Sequence, residues 1–160
     1  MPGKNHLVYE SDSVAVTKGL GRQVGRYAEP QTVVALIGPL GAGKTQFVKG
    51  IAAGLGIDDD RKVTSPTFVI VREHAGRLRL YHVDAYRVSS PELSAIGFQE
   101  ICTAVGVVAI EWADRIPDIL PEDHLAITIE PTGAERRRLA YHAVGQRSQR
   151  LVDHLAATGG

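Results

Sequence analysis

The chain has 160 residues, of which 44% are hydrophobic, and its 18 Lys and Arg residues balance 18 Asp and Glu residues. This length allows one well-buried core but not two full domains, so we expect a single domain over residues 1–160. The zero net charge excludes the strongly basic surface with which many proteins grip nucleic-acid phosphates, and any RNA connection would be local or indirect.

The N-terminal residues predict a short strand and an amphipathic helix. Residues 6–9 are a candidate strand, and Ser11-Asp12-Ser13 are suited to capping a helix. Apolar and small residues then recur at helical spacing up to Ala28, ahead of Pro30.

Residues 38–45 read Gly-Pro-Leu-Gly-Ala-Gly-Lys-Thr, a complete G-x-x-x-x-G-K-[ST] phosphate loop. Residues 32–37 before it form an apolar, β-branched run typical of a buried parallel strand, and a helical pattern with stop signals at Gly54 and Gly56 follows it. Backbone N–H groups of such a loop form an anion site at a helix N-terminus, where Lys44 adds a charge for the β and γ phosphates and Thr45 offers a hydroxyl to Mg²⁺. The loop therefore predicts binding of a nucleoside triphosphate with Mg²⁺. The nucleotide-binding candidates here are Gly38, Leu40, Gly41, Ala42, Gly43, Lys44, Thr45 and Gln46.

The stretch after this helix predicts a solvated loop and a hairpin. The loop is Asp58-Asp59-Asp60-Arg61, because adjacent carboxylates repel and need water. Thr64-Ser65-Pro66-Thr67 leads into a strand at residues 68–71; its hydroxyls either sense a γ-phosphate or cap a turn, and Thr67 joins the nucleotide-binding candidates. Residues 78–83 pair back as a second strand that ends at Asp84.

The remaining elements complete an α/β pattern. We expect a helix starting at Ser90-Pro91 and running to Ile96, a buried strand at residues 106–110, a hairpin from residues 125–129 and 138–144, and a short helix at 151–157. The predicted fold is a P-loop NTPase-type three-layer sandwich, with a mixed, mainly parallel sheet flanked by helices.

Two acidic residues stand at predicted strand ends, where a phosphate loop needs a metal-directing carboxylate. Asp84 and Glu111 could each bind Mg²⁺ directly or through water, and Glu111 could also orient the attacking water. The alternative is that each is a surface acid at a strand end without a functional role. Trp112, the single tryptophan, directly follows Glu111, and packing in the core explains it as well as a role at the site does. For His82, we favour a structural role over a role as a metal ligand. Residues 136–138, all Arg, predict a solvated hairpin face.

Cysteine content and apolar run length give the remaining class information. The single Cys102 excludes an intramolecular disulfide and a cysteine-based zinc site, and it predicts a small buried hydrophobe in a reducing compartment. Apolar runs stay below about 18 residues, and the first residues lack the layout of a secretory signal. We therefore expect a cytoplasmic protein with no membrane contact.

Taken together, these motifs resemble the TsaE (YjeE) family, from about Thr17 to Leu120. The matching motifs are Thr17-x-x-Leu20-Gly21, Gly38 to Thr45, Ser65-Pro66-Thr67-Phe68, His82-x-Asp84-x-Tyr86-Arg87 and Glu111-Trp112. The departures are Pro39, where Asp is common in the family, and Cys102, where an aromatic residue is common. Pro39 removes one backbone donor from the loop.

The resemblance implies an ATPase of tRNA threonylcarbamoyladenosine biosynthesis that uses ATP and Mg²⁺. It implies that Thr45 and Asp84 belong to the metal shell with support from Glu111, that Thr17 lies near the adenine, and that Trp112 lies beside the nucleotide. The catalytic candidates are therefore Lys44, Asp84, Glu111 and Trp112.

The resemblance also implies partners. TsaB and TsaD transfer the threonylcarbamoyl group to adenosine 37 of tRNAs reading codons that begin with A, and ATP binding and hydrolysis would regulate association with that pair. tRNA would be contacted only through the complex. A small-molecule kinase and a nucleotide-gated binding module with negligible hydrolysis stay open, whereas the missing N-K-x-D and L-S-G-G-Q segments disfavour a GTPase and a transporter ATPase.

Overall fold

The sheet is the organising element of the computed structural model, which describes residues 4–57, 63 and 70–158. Seven strands lie in the order β1-β7-β6-β2-β5-β4-β3. Their bounds are β1 His6–Ser11, β2 Thr32–Ile37, β3 Val71–His74, β4 Arg79–Asp84, β5 Gly106–Glu111, β6 His124–Pro131 and β7 Arg137–Val144. The four central strands β6-β2-β5-β4 are parallel, while β1, β7 and β3 add antiparallel neighbours at the two sides. The predicted mixed, mainly parallel sheet is confirmed.

Helices cover both faces of this sheet. Their bounds are α1 Val14–Tyr27, α2 Lys44–Gly54, α3 Ser90–Ala95, α4 Phe98–Thr103 and α5 Gln146–Ala157. Because successive strand residues point to opposite faces, Leu36 joins the core beneath α1, α2 and α5, whereas Ala35 joins the core beneath α3 and α4. The predicted three-layer arrangement is confirmed.

Local capping signals account for the starts of α1 and α3. The Ser13 side chain accepts a hydrogen bond from the Val16 backbone N–H at 3.1 Å and starts α1 as predicted. For α3 the capping residue is Ser89, one position earlier than predicted, because its hydroxyl and the Glu92 side chain form a reciprocal capping box.

One helical prediction needs correction, and one helix was not predicted. The last helix begins at Gln146 rather than Leu151, because the Asp123 carboxylate accepts hydrogen bonds from the backbone N–H groups of Arg147 and Ser148 and caps a polar first turn. Helix α4 has no predicted counterpart. The predicted loop at 58–61 and the stretch 64–69 lie outside the described residues.

Helices α1 and α2 pack backbone to backbone along four glycines, which we call the glycine seam: Gly21 and Gly25 of α1, and Gly50 and Gly54 of α2. A Cβ added to Gly21 would lie 2.2 Å from the Phe47 carbonyl oxygen, and one added to Gly50 would lie 2.1 Å from the Lys18 carbonyl oxygen. Gly25 and Gly54 are equally tight. The glycine seam therefore holds α1 directly against α2, the helix whose first residues end the phosphate loop.

Within the residues that the structure describes, no helix is both long and apolar enough to cross a membrane.

Candidate functional site

The glycine loop, residues 38–45, joins the end of β2 to the first turn of α2. Gly41 and Gly43 have φ values of 79° and 106°, in the left-handed region that favours glycine. Gly38 is restricted by packing instead, because a Cβ there would lie 2.5 Å from the Ile129 carbonyl oxygen. The loop's backbone path thus depends on its glycines.

A pocket of about 380 Å³ opens above this loop. It is lined by Val14, Thr17, Leu40, Gly41, Ala42, Gly43, Lys44, Thr45, Gln46, Glu111, Trp112, Glu135 and Arg137. Most sequence-predicted site residues therefore meet at one place. Gly38 and Asp84 do not line this pocket, and the predicted Thr67 lies outside the described residues.

Thr17 forms the wall of the pocket on the α1 side. Its side chain is buried, and its hydroxyl lies 2.8 Å from the Ser11 hydroxyl, which itself donates to the Ser13 carbonyl oxygen. Its methyl group is 3.7 Å from where a Cβ on Gly43 would stand. The glycine seam holds this threonine against the loop.

Lys44 is held inside the loop that it belongs to. Its Nζ donates to the carbonyl oxygens of Gly38 at 2.6 Å and Pro39 at 2.9 Å, and it lies 3.9 Å from the centre of the Trp112 ring. Burial lowers the pKa of the Lys44 ammonium, and the negative charges of Glu111, Asp114 and Asp84 oppose that shift. The nearby acids therefore favour the charged form at the pocket wall.

The two predicted carboxylates meet at the carboxyl ends of neighbouring parallel strands. The register of β4 and β5 pairs Asp84 with Glu111. The buried Glu111 carboxylate accepts a hydrogen bond from the Thr45 hydroxyl, 3.0 Å from both oxygens, and lies 2.5 Å from His82 Nε2. Asp84 accepts from the Tyr86 backbone N–H at 2.9 Å, and burial is the main cause that raises the pKa of its carboxyl. Both acids thus lie at the start of α2.

Trp112 has a strained backbone. Its φ is 62°, which is uncommon for a bulky residue and costs about 1–3 kcal/mol. Its ring lies 4.7 Å from the Tyr86 ring and also packs on the core beneath α3 and α4. The tryptophan therefore combines core packing with a place in the pocket wall, two readings that the sequence left as alternatives.

Arg137 corrects the prediction of a solvated arginine face. Its Nε donates to the Ala42 carbonyl oxygen at 2.8 Å and its Nη2 donates to the Gly41 carbonyl oxygen at 3.1 Å. Arg136 and Arg138 are exposed, as predicted. Sequence reasoning missed Arg137 because the residues that it contacts are 95 and 96 positions away, with no local signal.

The donors at this site suit an oxygen-preferring cation shared with phosphates. Among the described residues, no group of three His, Cys, Asp or Glu side chains is placed to hold a metal alone. Thr45, Asp84 and Glu111 instead bring hydroxyl and carboxylate oxygens to one end of α2, and Mg²⁺ usually takes one or two carboxylates together with phosphate oxygens and water. The donor set therefore fits Mg²⁺ held jointly with a nucleotide.

Known proteins share this sequence and architecture. Residues 11–139 match the family model described as TsaE, threonylcarbamoyl adenosine biosynthesis protein. The tRNA threonylcarbamoyladenosine biosynthesis protein TsaE of Bacillus subtilis is 42% identical over 141 residues, 88% of this chain and 87% of its own length. The protein of the same name from Treponema pallidum is 47% identical over 120 residues, 74% of this chain and 87% of its own. The crystal structure of Bacillus subtilis YdiB superposes with a TM-score of 0.82 and 35% identity, covering 97% of each chain.

Proposed function

Since the chain belongs to the TsaE family of threonylcarbamoyl adenosine biosynthesis proteins, we propose that it is a Mg²⁺-dependent ATPase serving that tRNA modification. The observation that carries the proposal is the meeting of the glycine loop, Lys44, Thr45, Glu111 and Trp112 in one pocket. A phosphate loop alone serves kinases, GTPases and motors equally. The surrounding residues favour hydrolysis, because the buried Glu111 carboxylate accepts a hydrogen bond from Thr45, whose hydroxyl is the predicted Mg²⁺ ligand.

The triphosphate would bind at the N-terminus of α2, where backbone N–H groups and the helix dipole favour negative charge. Arg137 supports this arrangement, since its guanidinium occupies the carbonyl oxygens of Gly41 and Ala42 and keeps these acceptors away from the phosphates. Lys44 supplies a positive charge that is already inside the pocket. The adenosine would extend toward Thr17 on α1.

Thr45, Asp84 and Glu111 would hold Mg²⁺, directly or through water. When bound, the ion neutralises negative charge that develops on the phosphate oxygens. Glu111 would orient the attacking water through a buried carboxylate that accepts hydrogen bonds from Thr45 and His82. Lys44 stabilises charge on the bridge between the β and γ phosphates, and no covalent intermediate with the protein is needed.

The cellular role would be exercised through partners. We propose that ATP binding sets the affinity of this chain for a TsaB-TsaD pair, and that hydrolysis resets it between rounds of threonylcarbamoyl transfer to adenosine 37 of tRNAs reading codons that begin with A. The family name supports the pathway, and the partner assignment extends it.

Phosphate release by the purified chain, alone and with TsaB, TsaD and tRNA, tests the proposal. Lys44→Ala and Asp84→Ala should each abolish turnover, whereas Lys49→Ala, on the same helix but outside the pocket lining, serves as the matched control. Wild-type turnover in Asp84→Ala would move the metal role to Glu111. Partners that neither bind in an ATP-dependent manner nor change turnover would contradict the proposed role, and phosphate transfer to a metabolite would favour a kinase.

A further inference from the structure

His82 is a buried polar side chain that the proposed chemistry does not use. It lies on β4 with no exposed surface, and its Nε2 is 2.5 Å from Glu111 Oε2. Since a carboxylate oxygen accepts, Nε2–H donates. The other ring nitrogen, Nδ1, is buried and has no hydrogen-bond partner among the described residues. The ring's directional interaction is therefore with Glu111.

The strand register explains how the ring reaches this carboxylate. In the parallel ladder of β4 and β5, His82 is paired with Ala109, and Glu111 follows two residues later on the same face. The small Ala109 side chain allows the imidazole to extend diagonally to Glu111. A buried imidazole is costly where an apolar residue would pack, so this contact is the feature that distinguishes histidine from leucine at the position.

The two donors to Glu111 act differently on the rotation of its carboxylate. Thr45 Oγ1 lies 3.0 Å from both Oε1 and Oε2, so it binds the group symmetrically. Rotation about the terminal bond of a Glu side chain has only broad preferences, and a donor equidistant from both oxygens does not distinguish one from the other. His82 contacts Oε2 and so selects one orientation. Oε1 is left with Thr45 as its sole hydrogen-bond donor among the described residues.

We propose that His82 is a positioning residue that sets the rotation of the Glu111 carboxylate and directs Oε1 to bound metal or water. Its effect on turnover rests on the proposed ATPase function. Its effect on Mg²⁺-dependent nucleotide binding can be measured without turnover.

Two amide variants separate this role from simple packing. The Gln side chain can place an amide N–H near the position of Nε2, whereas the shorter Asn places one near Nδ1, where the described structure offers no partner. His82→Gln should therefore restore contact with Glu111, and His82→Asn should not. Trp112 is the only tryptophan and lines the pocket, so its fluorescence reports nucleotide binding in the full chain.

Kd for ADP is measured by this fluorescence in EDTA and in Mg²⁺, and kcat is measured alongside. We expect His82→Asn to reduce the Mg²⁺ enhancement of affinity and kcat by about 10-fold or more, the usual effect of losing an outer-shell partner, while Kd in EDTA stays unchanged. His82→Gln should remain within about 3-fold of wild type on the same scale. Equal losses in both variants, or wild-type Mg²⁺ dependence in His82→Asn, would overturn the proposal.

The outcome is independent of whether the wild type hydrolyses ATP. A wild type without turnover contradicts the ATPase proposal, yet the ratio of Kd values still decides the role of His82. Should His82→Asn fail to fold, ¹⁵N-histidine-labelled wild-type protein gives a second readout. The His82 Nε2–H resonance should exchange slowly with water and shift when Mg²⁺ and ADP are added together; a rapidly exchanging or unresponsive resonance would overturn the proposal.

Discussion

Substitution of Gly50 by Ala is expected to destabilise the protein although alanine is the better helix former. The new Cβ would lie 2.1 Å from the Lys18 carbonyl oxygen, about 1 Å closer than real contacts allow, and the obstacle is backbone that no rotamer change can move. Overpacking of this kind costs about 1–3 kcal/mol, occasionally more, and we place Gly50→Ala at about 3 kcal/mol. Helix propensity returns about 1 kcal/mol. The expected net loss is about 2 kcal/mol.

Gly19→Ala is the matched control. This glycine lies in α1, is exposed, and would have nothing within 4 Å of its new Cβ. The same change should therefore raise the free energy of unfolding by up to about 1 kcal/mol.

Thermal unfolding measures both variants. At about 2–4 °C per kcal/mol for a chain of this size, Gly50→Ala should lower Tm by about 4–8 °C, and Gly19→Ala should raise it by about 2–4 °C. Gly50→Ala should also weaken ADP binding, because displacing α1 moves Thr17 away from the loop. A Tm for Gly50→Ala at or above that of the wild type would refute the reasoning about the seam.

Further predictions address the pocket and the core. Trp112→Phe should keep the fold and slow phosphate release by up to about 10-fold, through weaker ring contact with the lysine ammonium; an unchanged rate with a lower Tm would assign the ring to packing alone. Arg137→Met should weaken ADP binding by about 10-fold, because its charge-assisted hydrogen bonds to the loop are lost. Arg138→Met, at an exposed position, should leave ADP binding unchanged. Equal changes of Kd in the two variants would show that the contact of Arg137 with the loop does not support binding. Tyr141→Phe should raise the free energy of unfolding in urea by about 1 kcal/mol, because the buried hydroxyl has no partner among the described residues, and a loss of stability would contradict this. Burial raises the pKa of Asp84 in the folded state, so the native chain binds more protons than the unfolded chain, and the stability that this group contributes falls as pH rises from its ordinary pKa through the raised one. The stability of Asp84→Asn relative to wild type should therefore increase across that pH window. Urea unfolding at several pH values checks the sign.

Local patterns were sufficient for much of the fold. The glycine loop, the apolar β2 and the hydroxyl before α1 act over a few residues, so their sequence signals are complete in themselves. The positions of Asp84 and Glu111 at strand ends also followed from sequence, whereas their pairing across neighbouring strands is seen only in the structure. The family resemblance joined these pieces into one site.

Contacts between distant residues were beyond such reasoning. Arg137 reaches the loop across 95 residues, and Asp123 caps α5 from 24 residues away, so neither leaves a periodic or local signal. The six residues of α4 are too few to establish a helical period. His82 belongs to the same group, since its partner lies 29 positions along the chain and the histidine alone reads as an ordinary core residue.

The glycine seam sets the distance between two walls of the pocket. Thr17 on α1 and Lys44 on α2 lie on helices whose backbones touch, so their spacing is set by main-chain atoms and not by the side chains around them. Substitutions at the pocket surface can change what is recognised at each end without altering the span between the ends. A relative that accommodates a longer or shorter ligand between these two walls must therefore first replace the glycines.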